Sequence, residues 1–148
     1  PDVPVPGYES DFGGLDASVL DAGGACSGVV LLVEDNIVNR MIGVEMLTSL
    51  GVDVLEAEDG AQALLVLSNQ HVDLVLMDIQ MPVLDGYAAA RQVREREARL
   101  RLPRVPIVAL TANAFDEDAA QSMAAGMDAH LAKPYSREQL KELVQRWL

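Results

Sequence analysis

A chain of 148 residues, half of them apolar, is long enough to bury one full core and too short for two comfortable ones. Its formal net charge of -12 argues against nucleic acid as a direct partner, because binding a phosphate backbone needs a basic stripe. No apolar run approaches the roughly 18 residues that cross a bilayer and no signal-peptide pattern is present, so no direct membrane contact is expected; the lone Cys26 excludes an internal disulfide and suits a reduced, cytoplasmic setting.

Residues 1–28 read as a flexible linker. They are rich in Pro and Gly and carry five acids (Asp2, Glu9, Asp11, Asp16 and Asp21) with no Lys or Arg. Such a stretch cannot bury enough apolar surface to offset the entropy of ordering it. The chain opens at Pro1 rather than Met, which suits a piece of something longer. From Val29 the pattern changes, and residues 29–148 are expected to form one globular domain.

That domain alternates apolar runs with helical patterns five times. Val29–Val33 reads as a buried strand, followed by Asn36 as a helix cap and an apolar stripe of Ile37, Met41, Val44, Leu47 and Leu50, closed by Gly51. Val52–Ala57 is a second strand, and Asp59 begins a helix with Ala61, Leu64, Leu65 and Ser68 on one side. Leu74–Met77 is a wholly apolar third strand ending in Asp78. After the loop 81–86 a helix is expected from Tyr87 to Leu100, with Tyr87, Ala90, Val93 and Glu97 in register. Six arginines at 91, 94, 96, 99, 101 and 104 read as a solvated face plus loop, with a docking surface for an acidic partner as the alternative.

Ile107–Leu110 is the fourth strand, ending in Thr111, and a helix from Asp116 to Ala125 is stopped by Gly126. The fifth strand, Ala129–Ala132, ends in Lys133-Pro134. Ser136 with Gln139 makes a capping box, and Leu140, Leu143, Val144 and Trp147 follow on one face. Wholly apolar strands alternating with amphipathic helices predict an α/β, doubly wound, five-stranded parallel sheet covered on both faces.

In open parallel sheets, ligands bind beyond the carboxyl ends of the strands, where strand order reverses. The residues at those ends are Glu34-Asp35, Asp78, Thr111 and Lys133, while the second strand has only Glu56 and Glu58 nearby. In an order 2-1-3-4-5 the second strand is an edge and the polar ends converge on one crevice. Three carboxylates gathered there repel one another unless a cation is present. Mg2+ favours oxygen ligands and binds through one or two carboxylates plus phosphate oxygen. Lys133 adds a positive charge and Thr111 a hydroxyl donor, a set able to stabilise a phosphoryl group moving to a carboxylate.

These residues fall in four motifs: V-L-L-V-E-D-N at 30–36, L-V-L-M-D-I-Q-M-P-V-L-D-G at 74–86, A-L-T-A-N-A at 109–114 and L-A-K-P at 131–134. Over 29–148 the chain resembles the CheY-like receiver domains of response regulators, with a flavodoxin-like (βα)5 fold. The resemblance implies that Asp78 is the phosphoacceptor. It implies Mg2+ held by Asp35, Asp78 and the main-chain carbonyl of Gln80, with Glu34 acting through water, Thr111 as the switch hydroxyl and Lys133 paired with the phosphoryl group. It also implies a cis peptide at Lys133-Pro134. His130 stands where the family carries a Tyr or Phe that rotates on activation, so a switch side chain and a half-buried strand histidine both remain open there.

The text E-D-N-I-V-N-R and A-L-T-A-N-A is most similar to receivers at the carboxyl end of hybrid sensor histidine kinases, whose parent protein can be membrane-anchored. A stand-alone single-domain regulator is the alternative. The implied partner is a phosphohistidine donor, either a histidine kinase or a histidine phosphotransfer protein. A monomer is expected, and no DNA-binding output domain is expected after Leu148. The chain has no phosphodonor histidine in a dimerisation helix, so it is not expected to be an enzyme that phosphorylates itself from ATP. Haloacid-dehalogenase-type hydrolases are disfavoured because Gln80 stands where they need a second acid. A flavin module is disfavoured because the acidic turn 34–36 would repel a phosphate.

Overall fold

Apolar runs with no polar face must be covered on both sides, and a parallel sheet between two helical layers does this. The computed structural model describes residues 27–79, 85–111 and 122–148. Its strands are β1 (Val29–Val33), β2 (Asp53–Ala57), β3 (Leu74–Asp78), β4 (Ile107–Thr111) and β5 (Ala129–Ala132). Its helices are α1 (Ile37–Ser49), α2 (Gly60–Asn69), α3 (Gly86–Leu100) and α4 (Arg137–Trp147), with a further helical turn at residues 122–124. The strands are all parallel in the order β2-β1-β3-β4-β5, as expected. The linker up to residue 26, the loop residues 80–84, and 112–121 lie outside the described residues.

Alternate side chains of the central strands feed two separate cores. Leu31, Val33, Val75, Met77, Ile107 and Ala109 pack against α2 and α3 through Ala63, Ala90 and Val93. Val30, Leu32, Leu74, Leu76, Val108 and Leu110 pack against α1 and α4 through Leu47, Leu140 and Val144. The register sets Val30 beside Leu74 and Val75 beside Ile107, so β3 lies at the centre between β1 and β4.

Each helix starts where a short polar side chain accepts the N–H three residues on. Asn36, Asp59, Asp85 and Ser136 do this for Asn39, Gln62, Ala88 and Gln139. Ser136 and Gln139 also form the expected reciprocal capping box. Gly126 sits at φ +96°, the left-handed region expected of a helix stop. Lys133-Pro134 is cis.

Two helical stripes and part of the arginine face depart from expectation. On α1, Val44, Leu47 and Leu50 of the expected stripe pack inward, but Ile37 and Met41 are 62% and 64% exposed, and the buried Gly43 takes part instead. On α2, Leu65 is exposed and Ala63 is fully buried. Both helices are apolar on more than one side, so periodicity alone does not choose the inner face. Arg94 is not solvated. Its guanidinium donates to Glu97, Asp128 and the carbonyls of Val105 and Gly126, each at 2.8 Å. The carboxylates also accept the N–H of Val105 and of Ile107, which fixes the entry to β4. Arg104 completes the cluster through Asp128.

Candidate functional site

Because the strands run parallel, their carboxyl ends gather at one edge. Glu34 and Asp35 follow β1, Asp78 ends β3, Thr111 ends β4, and Lys133 follows β5. The last two strands are locked together there by the Lys133 N–H donating to the Thr111 carbonyl at 2.7 Å. Glu34, Asp78 and Thr111 are buried, at 3%, 5% and 1% exposure, whereas Asp35 is exposed.

The three carboxylates converge: one ligand oxygen from each of Glu34, Asp35 and Asp78 lies within 4.8 Å of the others. The Lys133 ammonium bridges two of them, donating to Glu34 Oε1 at 2.8 Å and to Asp78 Oδ2 at 2.9 Å. Burial is the main cause that pushes the Glu34 carboxyl up to about 7, reinforced by its hydrogen bond to Asp78 and opposed by Lys133. Burial disfavours the Lys133 charge, but its hydrogen bonds to Glu34 and Asp78 outweigh this and raise its pKa. The site is therefore short of positive charge. Thr111 Oγ1 is buried with no hydrogen-bond partner among the described residues, a donor held ready for a group that would enter the cleft.

His130 sits on β5 in register with Ala109, and its side chain is exposed rather than half-buried. Gln80 lies outside the described residues. Sequence reasoning missed Arg40. From the first turn of α1 it donates to the Glu34 carbonyl at 2.9 Å and to Glu56 of β2 at 3.1 Å. The edge strand thus braces the acidic turn after all, and the Glu34 N–H donates to Ala57 at its end. Arg40 stands one helical turn after the Asn36 cap, a spacing that puts it back over the strand end.

Several solved structures and curated proteins are similar to this chain. The family model described as the response regulator receiver domain matches residues 30–145. Hybrid signal transduction histidine kinase L of Dictyostelium discoideum is 42% identical over 123 residues, covering 81% of this chain and 7% of that protein. Sensor protein GacS of Pseudomonas syringae pv. syringae is 39% identical over 118 residues, covering 80% of this chain and 13% of that protein. The chain thus spans only a small part of the length of these relatives. The receiver domain of sensor histidine kinase PA1611 from Pseudomonas aeruginosa PAO1, solved with a magnesium ion coordinated in the active site cleft, has a TM-score of 0.73 and 46% identity over 82% of this chain and 97% of that one. A chain in the co-crystal structure of the Saccharomyces cerevisiae histidine phosphotransfer signaling protein Ypd1 and the receiver domain of its downstream response regulator Ssk1 has a TM-score of 0.80 and 30% identity, over 83% of this chain and 90% of that one.

Proposed function

This chain belongs to the response regulator receiver domain family, and on that premise we propose that Asp78 takes a phosphoryl group from a phosphohistidine. The carrying observation is the cluster of Glu34, Asp35 and Asp78 with Lys133 bridging Glu34 and Asp78. Those residues fit Mg2+: hard carboxylate oxygens in a pocket whose negative charge one lysine does not balance. Asp35, Asp78 and the Gln80 carbonyl would hold the ion, with Glu34 acting through water. Bound there, Mg2+ supplies positive charge to the phosphoryl oxygens as their negative charge is redistributed.

In the transfer, an Asp78 carboxylate oxygen bonds to phosphorus while the N–P bond of the phosphohistidine breaks, its electron pair leaving with the imidazole. Lys133 shifts from the carboxylates to a phosphoryl oxygen, and the Thr111 hydroxyl gains the acceptor it lacks. Thr111, with His130 on the adjoining strand, then forms the switch. The donor docks on α1, where Ile37, Val38, Met41 and Ile42 are 46–64% exposed. Ile42 also lines the cleft with Glu34, Lys133 and Tyr135. This reading makes the chain a phosphoacceptor within a longer hybrid histidine kinase, working in the cytoplasm and monomeric, rather than a kinase in its own right.

Incubation with acetyl phosphate and Mg2+, followed by intact mass, tests it. A single phosphoryl adduct that depends on the metal is expected, and no adduct with either donor, acetyl phosphate or a phosphohistidine protein, would sink the reading.

The raised Glu34 carboxyl gives a second test. Without metal, a group raised from 4.5 to about 7 favours the native state fully below 4.5, and that contribution is lost as the pH climbs through about 7. A divalent cation favours the ionised form, so its binding expels a proton when Glu34 holds one. Calorimetric titration in buffers of different ionisation enthalpy should show proton release at about pH 6, little at about pH 8, and tighter binding at the higher pH. With affinity near millimolar, roughly ten-millimolar Mg2+ should stabilise the domain by about 1–2 kcal/mol. Asp35→Ala should remove most of that gain, and a melting temperature indifferent to metal in the parent would count against the site.

A further inference from the structure

We propose that the acidic segment 1–26 of this chain docks on a basic and apolar surface at the carboxyl end of α3. The inference does not depend on the phosphoacceptor reading. That end of the helix lies about 20 Å along its axis from Gly86, the end that abuts Asp78. Once Arg94 and Arg104 are assigned to the Glu97–Asp128 cluster, Arg91, Arg96, Arg99 and Arg101 have no ion pair among the described residues. Three of them, Arg96, Arg99 and Arg101, fall in the last turn and a half of the helix and its cap, unusual in a chain with 23 acids against 11 bases.

Arg101 is the helix C-cap at φ 56°, a left-handed position that Gly takes without strain, so a cation is kept there against a conformational cost. Leu100 and Leu102 on either side of it are 51% and 38% exposed. Beside them is a groove of about 330 Å³, lined by Arg96, Leu102, Pro103, His71 and Asp73 among others. A surface of this kind fits an acidic peptide with apolar side chains.

The chain supplies one at the groove's own rim. Asp73 Oδ2, on that lining, accepts the Val29 N–H at 2.8 Å, and Gly28 lies against the same carboxylate. Segment 1–26 therefore joins the domain beside the groove. It carries five acids, no Lys or Arg, and the apolar Tyr8, Phe12, Leu15 and Leu20. Extended, it reaches up to about 85 Å, far beyond the length of α3. Tethering gives it a high effective concentration at the surface, so weak contacts suffice.

A nitroxide on Ser10→Cys in a Cys26→Ser background tests this in the full chain. Amide signals of residues 96–102 and 104 should lose intensity by at least about twofold relative to residues 37–42 on α1. Roughly half-molar salt, where the screening length is about 4 Å, should restore them. So should Arg96→Glu/Arg99→Glu/Arg101→Glu, and so, without touching the domain, should Glu9→Gln/Asp11→Asn/Asp16→Asn. Uniform broadening, or broadening indifferent to salt and charge, would overturn the proposal. Broadening of isotope-labelled chain by spin-labelled chain mixed with it would reassign the occupant to a second copy and overturn it equally.

Discussion

Asp78→Asn is expected to abolish phosphorylation by acetyl phosphate while leaving the domain folded. The amide is nearly isosteric with the carboxylate, and Asp78 closes β3 with its backbone in register with Leu110. The amide oxygen can still accept from Lys133, so the lysine keeps both of its partners in the cleft. Removing a carboxylate from a site of three also relieves repulsion; part of the upward push on Glu34 comes from Asp78. Metal-free stability should therefore stay within about 1 kcal/mol of the parent or rise. What is lost is the nucleophile, because a neutral amide oxygen does not take the phosphoryl group that a carboxylate holds as an acyl phosphate. Intact mass and a urea titration measure the two halves. A full adduct on the variant would sink the assignment of Asp78, and an unfolded variant would show that the carboxylate is structural.

Gly86→Ala is the second large effect expected, and here the loss is of stability. Gly86 is the first residue of α3, where Ala is intrinsically better by roughly 1 kcal/mol. Its missing side chain is what lets the helix approach β3. A Cβ would stand 2.5 Å from the Asp78 carbonyl oxygen and 2.7 Å from Ile79 Cα. Both are backbone atoms, so neither can rotate away. The helix must retreat or β3 must bend, and the Gly86 N–H bond to the Ile79 carbonyl, already 3.3 Å, is strained further. Such overpacking costs roughly 2–3 kcal/mol, which outweighs the helical gain. Because the strand end moves, phosphorylation should slow as well. Urea unfolding and the rate of adduct formation check this, and an alanine variant as stable as the parent would refute the close approach.

Much of this was legible in the residues because the signals were local. Apolar runs such as Leu74–Met77 name a buried strand, and Asn36, Asp59 and Ser136 name helix starts, since each rests on neighbours a few positions away. The site was legible for the same reason: parallel topology turns strand ends in the sequence into neighbours in space. The inner faces of α1 and α2 were legible only in part: Val44, Leu47, Leu50 and Leu64 pack as expected, but Ile37, Met41 and Leu65 are as apolar and do not. Only the shape of the opposing sheet decides between them, as when Leu32 closes over Gly43. Arg40 and Arg94 escaped for a related reason. An arginine on a helix looks solvated until the carbonyls and carboxylates of distant loops are brought to it.

The central pairing has a kinetic consequence. Val30 meets Leu74 only after α1, β2 and α2 have been spanned, and Val75 meets Ile107 only after α3 has. No two neighbouring strands can close as a hairpin, so loop-closure entropy is met before any ladder rewards it, a topology that folds slowly for its size. Until then β1, β3 and β4 are unpaired apolar segments of the kind that add to one another between molecules. One of the two edge strands is different: β2 carries Asp53 and Glu56, both exposed, the second paired with Arg40. Charge on that edge disfavours pairing with the edge of another copy, so on the β2 side the sheet stops growing where its acids begin.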